Sequence, residues 1–110
     1  MPYREIVFVT DEVLLFYQKQ QPKIQRKIDF VFDLIRNVEV VPIQYLKYLK
    51  GSSGIYEIRV LTHVNSLRFL CFFERNQLII VTNSFVKKTQ KTPNKQIQIA
   101  ENIKKEYENK

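Results

Sequence analysis

Two arginines and one carboxylate are the residues of this sequence whose spacing best suits chemistry. The segment Ile55-Tyr56-Glu57-Ile58-Arg59-Val60 alternates, which predicts a strand with one core-facing side and one charged side that carries Glu57 and Arg59. If the following hairpin is symmetric about residues 63 and 64, Arg59 lies directly opposite Arg68. Like charges placed across neighbouring strands are destabilising, so the pair needs Glu57 as a neutralising neighbour or an anionic ligand. The spacing alone leaves both interpretations open.

A turn centred near Asn76 extends this register to the next strand. It predicts that Ser84 lies beside Arg68 and adds a polar group to the same patch.

Lysines follow the last predicted strand. Residues 85–95 contain four lysines and no acidic residue: Lys87, Lys88, Lys91 and Lys95. Lysines can bind phosphates as point charges, and Thr92 with the helix N-terminus that follows would assist them. A solvated connector is the competing interpretation.

Lys47 and Lys50 alternate with Tyr45 and Tyr48, a combination of charge and stacking rings that suits RNA. Tyrosines that pack beneath the loop are the alternative. With Lys91 and Lys95, these two lysines are the predicted RNA- and ribosome-binding residues.

The residues that serve other chemistries are missing or isolated. His63 is the single histidine and lies in a predicted turn, and Cys71, the single cysteine, excludes both a disulfide framework and a cysteine-based zinc site. No phosphate-binding glycine loop or carboxylate triad occurs. We therefore expect a protein without metal or cofactor, in a reducing, cytoplasmic location. No apolar run reaches the roughly 18 residues that span a bilayer.

The positive charge lies in the middle of the chain. Of the net charge of +7, residues 1–39 and 101–110 contribute nothing, whereas residues 40–100 hold nine Lys and Arg against two acids, Glu57 and Glu74. Such a concentrated field favours a polyanion such as nucleic acid as the partner. With 110 residues and 45% hydrophobic content, we expect residues 1–110 to form one domain.

Hydrophobic periodicity predicts the elements that position these residues. Ile6–Val9 is typical of a strand, and Thr10 is the predicted N-cap of a helix that follows it. Pro22 is predicted to open a second helix, because apolar residues then recur with helical spacing at Ile24, Ile28, Val31, Phe32 and Ile35.

Three strands and a last helix follow the glycine-rich turn at residues 51–54. The strands are predicted at 55–61, 67–74 and 78–86, and their short links imply an antiparallel meander. Thr92 and Pro93 are the predicted N-cap and first residue of the C-terminal helix. The result is an α+β fold of order β-αα-βββ-α, with the αα-hairpin covering one face of a small meander sheet.

Three segments together resemble the RelE/ParE superfamily of type II toxin–antitoxin toxins, in particular its HigB-like, phage-derived branch. They are Gly54–Val60, Arg68–Phe73 and Ser84–Pro93. The resemblance implies metal-free cleavage of mRNA in the ribosomal A site, and inhibition by a cognate antitoxin of the HigA-like helix-turn-helix kind. It places catalysis on Glu57, Arg59, Arg68 and Lys87 or Lys88.

Metal-free RNA cleavage needs a base for the 2′-OH, charge stabilisation for the phosphorane and an acid for the leaving oxygen. Arg59 and Arg68 suit the second task, Glu57 is the candidate base, and Lys87 or Lys88 is the candidate acid. Two alternatives remain: a ParE-like toxin that acts on gyrase without nuclease activity, and a non-catalytic RNA-binding module.

Overall fold

This computed structural model describes residues 2–110 and contains five strands and three helices. Their order agrees with the predicted α+β class, with one additional short strand. The elements are β1 (Glu5–Phe8), α1 (Asp11–Gln18), α2 (Pro22–Asn37), β2 (Leu46–Tyr48), β3 (Tyr56–Leu61), β4 (Ser66–Arg75), β5 (Leu78–Val86) and α3 (Asn94–Glu108).

The strands form one mixed sheet in the order β1-β5-β4-β3-β2. The predicted antiparallel meander of β3, β4 and β5 is confirmed. The prediction of a purely meander sheet was incomplete, because β1 pairs with β5 in parallel and β2 adds an antiparallel edge beside β3. A three-residue strand has too little periodicity to be recognised in sequence, and only its pairing with β3 defines it.

The αα-hairpin covers one face of the sheet, as predicted. All five residues of the predicted stripe on α2 are buried. On the sheet side, Phe69 is fully buried and its ring meets Phe16 and Phe32 edge to face, at centroid distances of 5.6 and 5.1 Å. These rings join α1, α2 and β4 into the larger of two apolar cores.

The alternation in β3 predicted that the other face of the sheet is charged. This prediction was incomplete. A second apolar core lies there, where Ala100 of α3 packs with Leu70, Phe72 and Ile80. The charged cluster around Glu57 lies on the same face, beside this apolar core. The sequence could not show this because the cover comes from a helix distant along the chain.

A β-bulge shifts the register between β4 and β5. Cys71 pairs with Val81 but Leu70 pairs with Asn83, so Thr82 is an extra residue in β5. Beyond the bulge Arg68 pairs with Phe85, and Ser84 pairs with Phe69. The prediction that Ser84 lies beside Arg68 was therefore wrong, because one inserted residue moves a side chain to the opposite face.

Helix boundaries follow the prediction for α1 and α2 but not for α3. Thr10 is at the N-cap of α1, although its hydroxyl donates to the Thr82 carbonyl rather than to the helix, and Pro22 is the first residue of α2. For α3 the N-cap is Pro93, one residue later than predicted. Thr92 is thus outside the helix, and its hydroxyl has another partner, described below.

Within residues 2–110, no helix has the length and apolar character needed to cross a membrane.

Phe69→Ala should lower the free energy of unfolding by about 3–5 kcal/mol, because it removes the ring on which both helices of the hairpin pack. Urea denaturation measures the loss. Val40→Ala is the control: Val40 is 82% exposed, and its truncation should change stability by no more than about 0.5 kcal/mol. Equal effects of the two substitutions would contradict this description of the core.

Candidate functional site

The strand register brings two arginines together, as the sequence predicted. Arg59 of β3 pairs directly with Arg68 of β4, and on the other side of β3 Lys47 pairs with Glu57. Residues that pair directly across strands share one face of the sheet. Four charged side chains from three strands therefore converge beside the area that α3 covers.

Glu57 is the centre of this cluster. Its side chain is fully buried, and its Oε1 accepts a hydrogen bond from Nε of Arg59 at 3.0 Å. Nε of Arg68 lies 3.4 Å from the same oxygen. The second oxygen, Oε2, accepts a hydrogen bond from the Thr92 hydroxyl. One buried carboxylate thus separates the two guanidinium groups and offsets the repulsion between them.

Arg68 is the more deeply placed arginine, with 12% of its side chain exposed. Its Nη1 donates to the Leu67 carbonyl at 3.1 Å. Its Nε is the one fully buried side-chain nitrogen or oxygen without a hydrogen-bond partner among residues 2–110. Burial lowers the pKa of Arg68, the Glu57 carboxylate opposes that shift, and Arg59 adds to it. The group keeps its charge at neutral pH because an arginine starts from so high a value.

Arg59 is more accessible, with 26% of its side chain exposed. Its Nε is used by Glu57, whereas within residues 2–110 its two Nη atoms make no hydrogen bond to a protein acceptor. Those free donors form the planar fork that matches phosphate oxygens.

Lys87 joins the cluster from the end of β5. Its backbone N–H donates to the Ser66 carbonyl at 2.8 Å, which continues the ladder one residue beyond the strand. Burial lowers the pKa of its ammonium group, the charge of Glu57 opposes this, and the cations Arg68, Arg59 and Lys47 lower the pKa further. Lys87 is therefore closer than an ordinary lysine to releasing its proton near neutral pH.

Sequence reasoning missed the part that Thr92 plays here. Its hydroxyl was expected to cap α3 and instead donates to Glu57, 35 positions earlier in the chain. A threonine before a proline resembles a helix start in any sequence, and no signal in the sequence distinguishes the two roles.

All the other predicted lysines are exposed: Lys47, Lys50, Lys88, Lys91 and Lys95. Of these, Lys47 pairs with Glu57 across the strands and so lies at the edge of the cluster. Tyr45 packs against the core beneath the αα-hairpin, and Tyr48 rests edge to face on Tyr56 at 5.2 Å. Tyr45 thus follows the packing alternative, whereas Tyr48 keeps 42% of its surface exposed.

Other reactive residues lie away from this cluster. His63 is exposed in the β3–β4 turn. Cys71 is buried, and burial raises the pKa of its thiol, which disfavours the nucleophilic thiolate. In the described part of the chain, no group of three or more histidine, cysteine or acidic side chains is placed to hold a metal ion.

The geometry suits an anion with several oxygens. Arg59 and Arg68 contact one buried carboxylate, and the charges of all three act on Lys87, so the group carries an excess of two positive charges, with the exposed Lys47 paired beside Glu57. Fixed guanidinium donors next to a lysine of lowered pKa can bind a phosphate and deliver a proton to one of its oxygens.

Comparison with known proteins places most of the chain in a known family model. The family model described as phage-derived protein Gp49-like (DUF891) matches residues 16–105, which include the whole charged cluster. No curated protein and no solved structure shows a significant match.

Glu57→Gln should lower the free energy of unfolding by about 2–4 kcal/mol, because it leaves two guanidinium groups side by side without a counter-charge. Urea denaturation near neutral pH measures the loss. In the double variant Glu57→Gln/Arg68→Met part of that loss should return, because the repulsion is removed.

Glu108→Gln is the matched control. Glu108, with 56% of its side chain exposed, forms an ion pair with Lys104 at 3.2 Å, and breaking such a pair should cost no more than about 0.5 kcal/mol. If Glu57→Gln were as harmless as this control, Glu57 would not be the element that holds the cluster together.

Proposed function

The chain belongs to the Gp49-like family of phage-derived proteins, which is part of the RelE/ParE-like toxin family, and on this premise we propose that it is the toxin of a type II toxin–antitoxin system. The proposed activity is metal-independent endonucleolytic cleavage of mRNA in the ribosomal A site, of the kind found in the HigB-like branch. Translation would stop as a result.

One observation carries the proposal: two arginines converge on a single buried carboxylate at the end of β5, where Lys87 follows. In this reaction the 2′-oxygen attacks the adjacent phosphorus, a phosphorane forms, and the bond to the 5′-oxygen breaks. Arg59 and Arg68 stabilise the added negative charge, and the free Nη donors of Arg59 contact the phosphate oxygens directly. Lys87 donates a proton to the leaving 5′-oxygen.

Its position in the sequence makes Glu57 the candidate general base, but its surroundings support a different role. It is fully buried and both of its oxygens are engaged, so a 2′-OH cannot reach it. We assign it to positioning the two guanidinium groups. The 2′-OH proton then passes to a group outside this cluster, in the solvent or on the ribosome.

Lys87 is preferred to Lys88 as the acid. The two are neighbours of identical chemistry, but only Lys87 lies among the charges of the cluster, whereas Lys88 is exposed. Lys88 joins Lys47, Lys50, Lys91 and Lys95 in a basic surface for ribosomal RNA, where each exposed charge adds affinity by counterion release.

An inhibitor of this toxin must compensate the same charges. We therefore expect a cognate antitoxin that presents acidic side chains to the cluster, in keeping with the HigA-like partner that the family resemblance implies.

Arg68→Ala should reduce mRNA cleavage on translating ribosomes by at least about 100-fold, because a guanidinium that stabilises the phosphorane is lost. The measurement is mapping of mRNA 5′ ends at saturating ribosome concentration. Arg68→Lys should restore only part of the activity, since an ammonium keeps the charge but loses the fork. Urea denaturation separates any loss of folding from a loss of chemistry.

The wild-type protein in this assay decides among the three function classes. Ends within codons that are absent with Arg68→Ala support the nuclease. Inhibition of gyrase supercoiling without new mRNA ends would favour a ParE-like toxin, and neither effect would favour an RNA-binding module.

Lys87→Ala should lower the cleavage rate by about 100-fold to 10,000-fold, the range for losing a general acid, whereas Lys88→Ala should leave the chemical step nearly unchanged. The wild-type cleavage rate should fall as pH rises through the pKa of Lys87, because the acid must be protonated. The midpoint of this fall, the alkaline limb of the pH–rate profile, should lie below 10.5, the pKa of an ordinary lysine.

The pH of that alkaline limb also tests whether the charge of Lys47 lowers the pKa of Lys87. Lys47→Ala removes a cation that lowers the pKa of Lys87, so the limb should move to higher pH. Lys50→Ala, an exposed lysine outside the cluster, is the control and should leave the limb in place.

A further inference from the structure

The connector between β5 and α3, residues 87–93, meets the charged cluster at both of its ends. Lys87 begins it and lies among the arginines, and Thr92 near its end donates to Glu57. The intervening residues 88–91 are exposed. The connector is therefore tied to the site near its two ends, and its middle is exposed.

We propose that Thr92 is a positioning residue that holds this connector closed against Glu57, so that the arginine pair and Lys87 are assembled as one unit. Its catalytic consequence rests on the proposed function, whereas the closure itself does not.

The two carboxylate oxygens of Glu57 have different partners, and this supports the proposed role of Thr92. Oε1 receives Arg59 and lies near Arg68, and Oε2 receives only the Thr92 hydroxyl. A fully buried carboxylate with one oxygen left without a donor is costly. Without Thr92, the carboxylate could turn Oε2 toward an arginine or toward water, and the separation of the two guanidinium groups would change.

Between Lys87 and Thr92, the side chains of residues 88–91 make no hydrogen bond to the cluster. Thr89 donates to the carbonyl of Lys91, a contact within the connector itself, at 2.7 Å. After the connector, Gln96 anchors the first turn of α3, where its carbonyl and its side-chain oxygen accept from Asn83 at 3.2 and 3.0 Å. Thr92 is thus the contact that draws the connector from this anchored helix down to Glu57.

Closure also controls the surroundings of Lys87. Burial is the main reason that its pKa is lowered, and an open connector would expose it. Loss of the Thr92 hydroxyl should thus return the pKa of Lys87 toward 10.5, the value of an ordinary lysine.

The test compares Thr92→Val, which keeps the shape and removes the hydroxyl, with Thr92→Ser, which keeps the hydroxyl. In Thr92→Val we expect kcat for ribosomal mRNA cleavage to fall about 10-fold to 100-fold, the size of a hydrogen bond to a charged group, with little change in KM. The pKa of Lys87, followed by NMR on the full chain, should rise. Thr92→Ser should behave like the wild type in both measurements.

Thr89→Val is the matched control, because it makes the same change in the same connector without touching Glu57. It should alter neither kcat nor the pKa of Lys87. If Thr92→Val does not fold, Thr92→Ala, which adds no methyl group at the carboxylate, replaces it.

The two proposals fail in different ways. If the wild type cleaves no mRNA, the proposed nuclease is wrong, and the NMR titration of Lys87 still decides on the closure. If Thr92→Val and Thr92→Ala leave the pKa of Lys87 and any cleavage as in the wild type, Thr92 does not hold the connector and the inference is overturned. An equal effect of Thr89→Val would likewise overturn it.

Discussion

Burial of the Glu57 carboxylate between two guanidinium groups is the interaction on which the arrangement of this protein depends. Removing a carboxylate from water costs several kcal/mol unless opposite charges and hydrogen bonds replace the solvent. Arg59, Arg68 and Thr92 supply that replacement. The same contacts make it possible for two arginines to occupy paired positions of neighbouring strands, which would otherwise repel.

The two faces of the sheet are packed against different helices, and this leaves room for the charged cluster. The αα-hairpin packs on one face, and α3 packs on part of the other, beside which the charged cluster lies. The bulge at Thr82 contributes to this division, because it places Asn83 on the face of Leu70, under α3. There Asn83 anchors Gln96, and the start of α3 in turn fixes where Thr92 can meet Glu57.

Charge distribution and site geometry point to the same kind of ligand. The net excess of positive charge belongs to residues 40–100, which supply every member of the cluster. Within it, burial lowers the pKa of Lys87, and the arginines are held as fixed donors. A surface of exposed lysines would bind any polyanion, whereas the cluster adds groups that can act on a phosphate. Membership of a toxin-like, phage-derived family fits this chemistry.

The sequence by itself determined the helices, the meander and the pairing of Arg59 with Arg68, because each follows from local periodicity or from the symmetry of a short turn. It could not determine the strand Leu46–Tyr48, the bulge at Thr82 or the cover provided by α3, which arise from pairing and packing between distant segments. For the proposed site, residue types pointed to the arginines and the lysine pair. Only the tertiary structure left Lys88 exposed and Lys87 partly buried, removed Glu57 from contact with solvent and brought Thr92 to it, because burial and hydrogen bonding depend on neighbours that the local sequence does not name.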